Sequence, residues 1–197
     1  MTNIPPDRKR RLACRTLALP LLLAAAGSMA PATAFGAAPD APALERRVKA
    51  AFLYKFLGYA EFPPNAFTEP GAPLLIAVAG SDEMVAELSR ITAGRVVAGR
   101  PIVVRRVADN EAPPPAHLLF VAGGDGERCT RMLRAAANAF LTVTECEGGL
   151  RQGSVINFRI IDERVRFDVS LDAADRKNVK LSSRLLTVAN RVQKGGS

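Results

Sequence analysis

Two nearly unbroken apolar runs constrain this chain most: LLIAVAG at 74–80 and HLLFVA at 117–122. A strand with one wet face alternates apolar and polar residues, whereas runs this uniform suit strands covered on both faces, as in parallel sheets. Helical patterns follow both. Ser81 or Asp82 caps a helix over 83–92, with Met84, Val85, Leu88 and Ile91 inward. The turn GGDG (123–126) leads into a helix at about 127–139, and LTVTE (141–145) is the next strand. A further strand is expected around 101–107. Strand–helix alternation argues for a mostly parallel sheet with helices on both sides.

The flanks read differently. From Leu44 to about Tyr59 the residues Leu44, Val48, Ala51, Phe52, Phe56 and Tyr59 recur at helical spacing, and Leu53, Tyr54 and Leu57 widen the apolar face. Pro63-Pro64 is the expected stop. VINFRII (155–161) and RVRFDVS (164–170), separated by Asp162-Glu163, read as an antiparallel hairpin. A closing helix is expected near 182–193. The fold class is therefore α/β: one domain, a mixed and mostly parallel sheet flanked by helices, with a C-terminal antiparallel hairpin and closing helix.

A formal net charge of +8 would suggest nucleic acid, but it is unevenly placed. Arg8, Lys9, Arg10, Arg11 and Arg15 stand against Asp7 alone in residues 1–34, a net of +4. The basic stretch precedes the 12-residue apolar run TLALPLLLAAAG (16–27), well short of a membrane span. Small residues follow, with cleavage signals ending at Ala34 or Ala38. Residues 1–34 thus read as a secretory signal peptide, carrying Cys14 with it, and 35–43 as a flexible lead-in. What remains is an exported protein, without a membrane-spanning run, in which 22 basic residues face 18 acids. Scattered arginines and few aromatics argue against nucleic-acid binding.

Chemistry is sparse. The single histidine, His117, excludes a multi-histidine metal site, and any Ser-His-Asp triad would have to use it. No nucleophile is marked nearby, so His117 reads as structural, and no catalytic residue, metal site or cofactor is expected. The GGDG loop lacks the lysine and Ser/Thr of a P-loop and reads as a tight turn. Asp162, Glu163, Asp168, Asp172 and Asp175 alternate with arginines, as expected for charge pairing across a hairpin. Cys129, in the first turn of a helix, and Cys146, directly after a strand, both fall at the carboxyl end of the sheet. In an oxidising compartment this pair is expected to bridge; the alternative leaves both reduced.

Three segments carry a family resemblance. RRVKAAFLYKFLGYAEFPP (46–64) is similar to the opening helix of the YfiR-like family of bacterial periplasmic proteins. LTVTECEGGLRQGSVINF (141–158) resembles its strand, Gly-rich turn and Ile-Asn-Phe strand, and RVRFDVSLDAADRKNVKLSSRLLTVANRV (164–192) its closing strand and Ser-Ser-x-Leu-Leu helix. A YfiR-like domain is thus expected over 44–193. Phe62, Ser170 and Asn178 depart from the tryptophan, asparagine and glycine frequent there, and one cysteine pair cannot support a two-bridge scheme.

The resemblance implies a periplasmic regulator, not an enzyme, that binds the periplasmic part of an inner-membrane diguanylate cyclase and restrains it. Cyclic-di-GMP and biofilm formation would then follow envelope conditions. It also implies that a homodimer can form. Lys49, Tyr54 and Tyr59 on the first helix, and Ser182, Ser183 and Arg184 near the last, are the candidate contacts. Core packing for the tyrosines and an N-cap for Ser182 are the competing assignments. The rival function is a small-ligand sensor with a crevice at the carboxyl ends of the strands, near 79–82 and 122–126.

Overall fold

In the computed structural model the residues described are 40–195. The expected signal peptide, its cleavage sites, Cys14 and most of the lead-in lie outside them. Helix α1, Ala41–Tyr59, begins three residues before Leu44, because Asp40 accepts a hydrogen bond from Ala43 N at 2.9 Å and Pro42 suits the first turn. Its buried stripe is Lys49, Ala50, Leu53, Phe56 and Leu57. The expected inward Leu44 is 53% exposed and Ala51 is also exposed. With apolar residues nearly all round, spacing alone left the helix's rotation open.

The chain becomes extended at Ala60, before Pro63-Pro64, and Ala60–Glu61 (β1) leads into one 3-10 turn, Pro64–Ala66. Strand β2 (Leu74–Ala79) precedes α2 (Asp82–Thr92), whose cap is Ser81, accepting from Met84 N at 3.1 Å. Ser81→Ala should cost about 1 kcal/mol of stability in chemical denaturation. Val96–Val97 (β3) turns tightly over Ala98-Gly99, both with positive φ, into β4 (Arg100–Val107). Then come β5 (Ala116–Val121), α3 (Gly126–Ala135) and β6 (Ala139–Thr144). The expected hairpin is β7 (Ile156–Ile161) and β8 (Arg164–Ser170), with Asp162 and Glu163 both at positive φ in its turn.

The ending differs from expectation. Ser170 caps a short helix α4 (Leu171–Arg176), and Lys180–Leu181 (β9) pairs antiparallel with β1. The closing helix α5 is only Ser183–Val188, and Arg191–Gln193 is a strand, β10, parallel to β8. Asn190 explains the break. Its N–H donates to the Phe167 carbonyl at 2.8 Å and its side chain to Asp168 Oδ1 at 2.7 Å, drawing the chain onto the sheet edge.

The main sheet runs β10-β8-β7-β6-β5-β2-β4-β3, with β7, β6, β5, β2 and β4 mutually parallel. Alternation along the strands divides the core. Ile76, Val78, Leu118, Phe120, Leu141 and Val143 face α1, α2 and α5. Ala77, Ala79, Leu119 and Val121 face α3, which supplies Met132. On the larger side Phe56 packs 5.0 Å from Phe167 and 5.9 Å from Phe158, centroid to centroid.

Candidate functional site

The carboxyl edge of the parallel strands, where a crevice was expected, is filled by charged side chains. Lys49 on α1 donates to Glu145 Oε2 at 2.5 Å and to Glu45, and Glu145 Oε1 accepts from Gly123 N at 2.5 Å. Burial acts against the Lys49 ammonium, but hydrogen bonds to Glu145 and Glu45 outweigh it and hold the pKa above the ordinary lysine value. Arg128 lies directly over Gly80, where a Cβ would run into its guanidinium, and reaches Asp109 at 2.5 Å. The remaining cavity beside Lys49 and Ser81 is about 170 Å³, below the usual range for small-molecule sites. Its neighbour around Cys146, Arg151 and Arg159 is polar and about 390 Å³. At the expected place, 79–82 and 122–126, the crevice is therefore small, with Ser81 and Ala122 in its wall beside Lys49 and Glu145.

The same geometry settles the GGDG loop. Asp125 caps α3, accepting from Glu127 N and Arg128 N, and the Gly123 amide is taken by Glu145, so a carboxylate already occupies the place of an anion. Glu145 was missed in the sequence because its partner lies 96 residues away.

Cys129 and Cys146 form the expected disulfide, with Cα atoms 6.5 Å apart and both residues buried. It ties the first turn of α3 to the segment leaving β6, one residue beyond Glu145. Of the hairpin charges, Arg159 and Asp168 approach to 3.8 Å, while Arg159 and Arg166 are register partners. Charge pairing across the hairpin is therefore only partial; Asp172 instead accepts from Gly195 N.

The proposed contact residues fall in different places. Lys49 is buried in the ion-pair cluster. Tyr54 is half-buried, with the Arg95 guanidinium 5.3 Å over its ring. Tyr59 is half-buried against the core, and its carbonyl accepts from Ser182 N at 2.9 Å. Ser182 caps α5, whereas Ser183 and Arg184 are exposed on its first turn. Pairing of β1 with β9 brings Tyr59 and Ser182 together, but leaves Lys49 at the opposite edge.

Two openings exceed those at the carboxyl edge: one of about 780 Å³ between α1 and the β7–β8 hairpin, lined by Leu44, Val48, Phe52 and Val165, and one at the amino ends of the strands. The second, a cavity of about 680 Å³, is lined by Leu75, His117, Phe140, Asn138, Arg176 and Lys177, among others. His117 sits in its wall, 8% exposed, beside the rings of Phe67, Phe62 and Phe140.

A family model described as YfiR/HmsC-like matches residues 46–190 of this chain. The chain belongs to that family. No curated protein matches it. Membership of the YfiR/HmsC-like family supports, in general terms, a periplasmic regulator of diguanylate cyclase. Among the described residues no helix is long and apolar enough to cross a membrane.

Proposed function

We propose that this YfiR/HmsC-like protein is exported to the periplasm and restrains one inner-membrane diguanylate cyclase by binding its periplasmic part, thereby coupling envelope state to cyclic-di-GMP and biofilm formation. The reading is that of a binding protein and not an enzyme. The family match across residues 46–190 carries it. The exposed Ser183 and Arg184 on α5 offer one polar face to a partner.

The direct test is co-purification of the exported chain with the periplasmic domain of a membrane diguanylate cyclase encoded beside its gene. A complex is expected, together with a rise in cyclic-di-GMP when the chain is deleted. Absence of both a complex and a rise would overturn the reading. Arg184→Glu probes the α5 face, since reversing a rim charge slows association more than it disturbs folding.

A second reading, small-ligand sensing, is favoured by the amino-edge cavity, which combines a volume in the range of small-molecule sites with the buried His117 in its wall. This reading puts the ligand at the amino ends of the strands, where the sequence had suggested the carboxyl ends. Val103 in the cavity wall is exposed, so Val103→Trp should narrow it without unfolding the chain. Metabolites that bind the native chain but not this variant would place a ligand there.

A further inference from the structure

The ring of His117 closes the amino end of the ladder between β2 and β5. Backbone pairing of these strands begins at Ile76↔Leu118. One residue earlier, Leu75 N–H donates to His117 Nδ1 at 3.0 Å. An imidazole nitrogen that accepts carries no proton, so the neutral ring holds its hydrogen on Nε2. That atom is buried without a hydrogen-bond partner. The ring packs 4.8 Å from Phe67 and 5.4 Å from Phe62, centroid to centroid. Both belong to the segment linking β1 to β2. His117 thus touches that segment through aromatic faces and β2 through Nδ1.

Protonation breaks the bond to Leu75. An imidazolium donates from both nitrogens, so Nδ1–H would confront Leu75 N–H, donor against donor. It would also place a charge among three aromatic residues, with no carboxylate among the described residues bonded to the ring. The charged groups around the ring are cations. Arg100, from the start of β4, lies 3.8 Å over the Phe67 ring and donates to the Ala72 carbonyl at 2.7 Å. Arg176 and Lys177, from the end of α4, line the same cavity, with Lys177 donating to the Ala137 carbonyl at 2.6 Å. From the linking segment, the acids Glu61 and Glu69 are exposed and neither bonds to the ring.

We propose that His117 is an acid-released latch: neutral, it holds residues 62–73 against the amino edge of the sheet, and protonated it lets them go. Burial holds its pKa below the ordinary 6.5, against a smaller opposing pull from the Ala66 backbone, and Arg100 adds to the depression. The sign follows. The released state binds the proton more readily, so the latch is at full strength above about pH 6.5 and weakens as pH falls below it. Release would expose Phe62 and Phe67 and open the wall of the amino-edge cavity. The latch rests on geometry and holds whether or not a cyclase is the partner.

The test is hydrogen exchange of the mature, untagged chain at about pH 7.5 and about pH 5, corrected for intrinsic exchange. Protection of the peptide covering 62–75 is expected to fall about tenfold or more at the lower pH, while β6 and β7 keep theirs. His117→Gln supplies an acceptor for Leu75 N–H that does not titrate, and should abolish the step. Because this is the only histidine, its imidazole ¹⁵N resonances in the native chain give a second readout that needs no variant. They should move from the Nε2–H tautomer to imidazolium over the same pH range as the loss of protection. The latch is overturned if the ring titrates while protection stays constant, if the step persists in His117→Gln, or if the ring stays neutral until the whole chain unfolds.

Discussion

Phe56→Ala is expected to lower the unfolding free energy by about 3–5 kcal/mol. Phe56 is 1% exposed and meets three other rings, Phe52 and Phe158 at 5.9 Å and Phe167 at 5.0 Å. Two of these rings come from strands β7 and β8, so the cluster is where α1 is clamped to the C-terminal hairpin. Truncation removes the transfer energy of a buried ring and leaves a cavity between elements that cannot close independently. Offset and edge-to-face pairing adds about 0.5–1.5 kcal/mol per pair beyond burial. Total stability of a domain is only about 5–15 kcal/mol, so this loss is a large fraction of it; Phe56→Leu, which keeps part of the volume, gives a milder step in the same direction. Denaturant titration checks it: the midpoint should fall with an unchanged slope. A loss below about 1 kcal/mol would show that α1 is held elsewhere.

The same helix shows what was and was not legible in the sequence. Its existence was clear from the spacing of apolar residues, but its rotation was not. The buried face is set by which residues meet Phe158 and Phe167, more than a hundred positions away. The parallel strands were legible because uniform apolar runs have few other uses, and Asp162-Glu163 marked the hairpin turn. Short elements were not. Two-residue strands β1 and β9 exist only through each other, and β10 only because Asn190 reaches Asp168. Read alone, SSRLLTVANRVQ has helical spacing throughout; in the fold, tertiary hydrogen bonds end the helix at Val188.

The candidate site divides in the same way. The cysteine pair was legible because each lay at the same end of neighbouring parallel strands. Glu145 was not, since a lone acid after a strand has no local signature until Lys49 arrives from the first helix. A lone histidine at the start of an apolar strand looks merely structural in sequence, but the hydrogen bond and burial it gains in the fold give it a proton-sensitive position.

Reduction of the Cys129–Cys146 bridge is expected to cost about 3 kcal/mol of stability. The two cysteines are 17 positions apart in sequence. In the chain-entropy view a closed loop of that size removes about 3 kcal/mol of freedom from the unfolded chain. Comparing the oxidised and reduced native sequence is cleaner than substitution, because both sulfurs stay in place and no cavity forms. The reduced Cys146 thiol can even donate to Gln152 Oε1, 3.6 Å away, so the fold should survive reduction. The local effect should be uneven. Cys146 follows Glu145, which holds both Lys49 and the Gly123 amide, and Cys129 follows Arg128, which packs over Gly80. Loss of the bridge should therefore loosen α3 and the 145–153 turn first, and leave β2 and β5 protected. Unfolding curves with and without reductant give the global figure, and hydrogen exchange locates it. If the oxidised and reduced forms unfold at the same denaturant concentration, the bridge does not constrain the fold and redox control through it is removed from consideration.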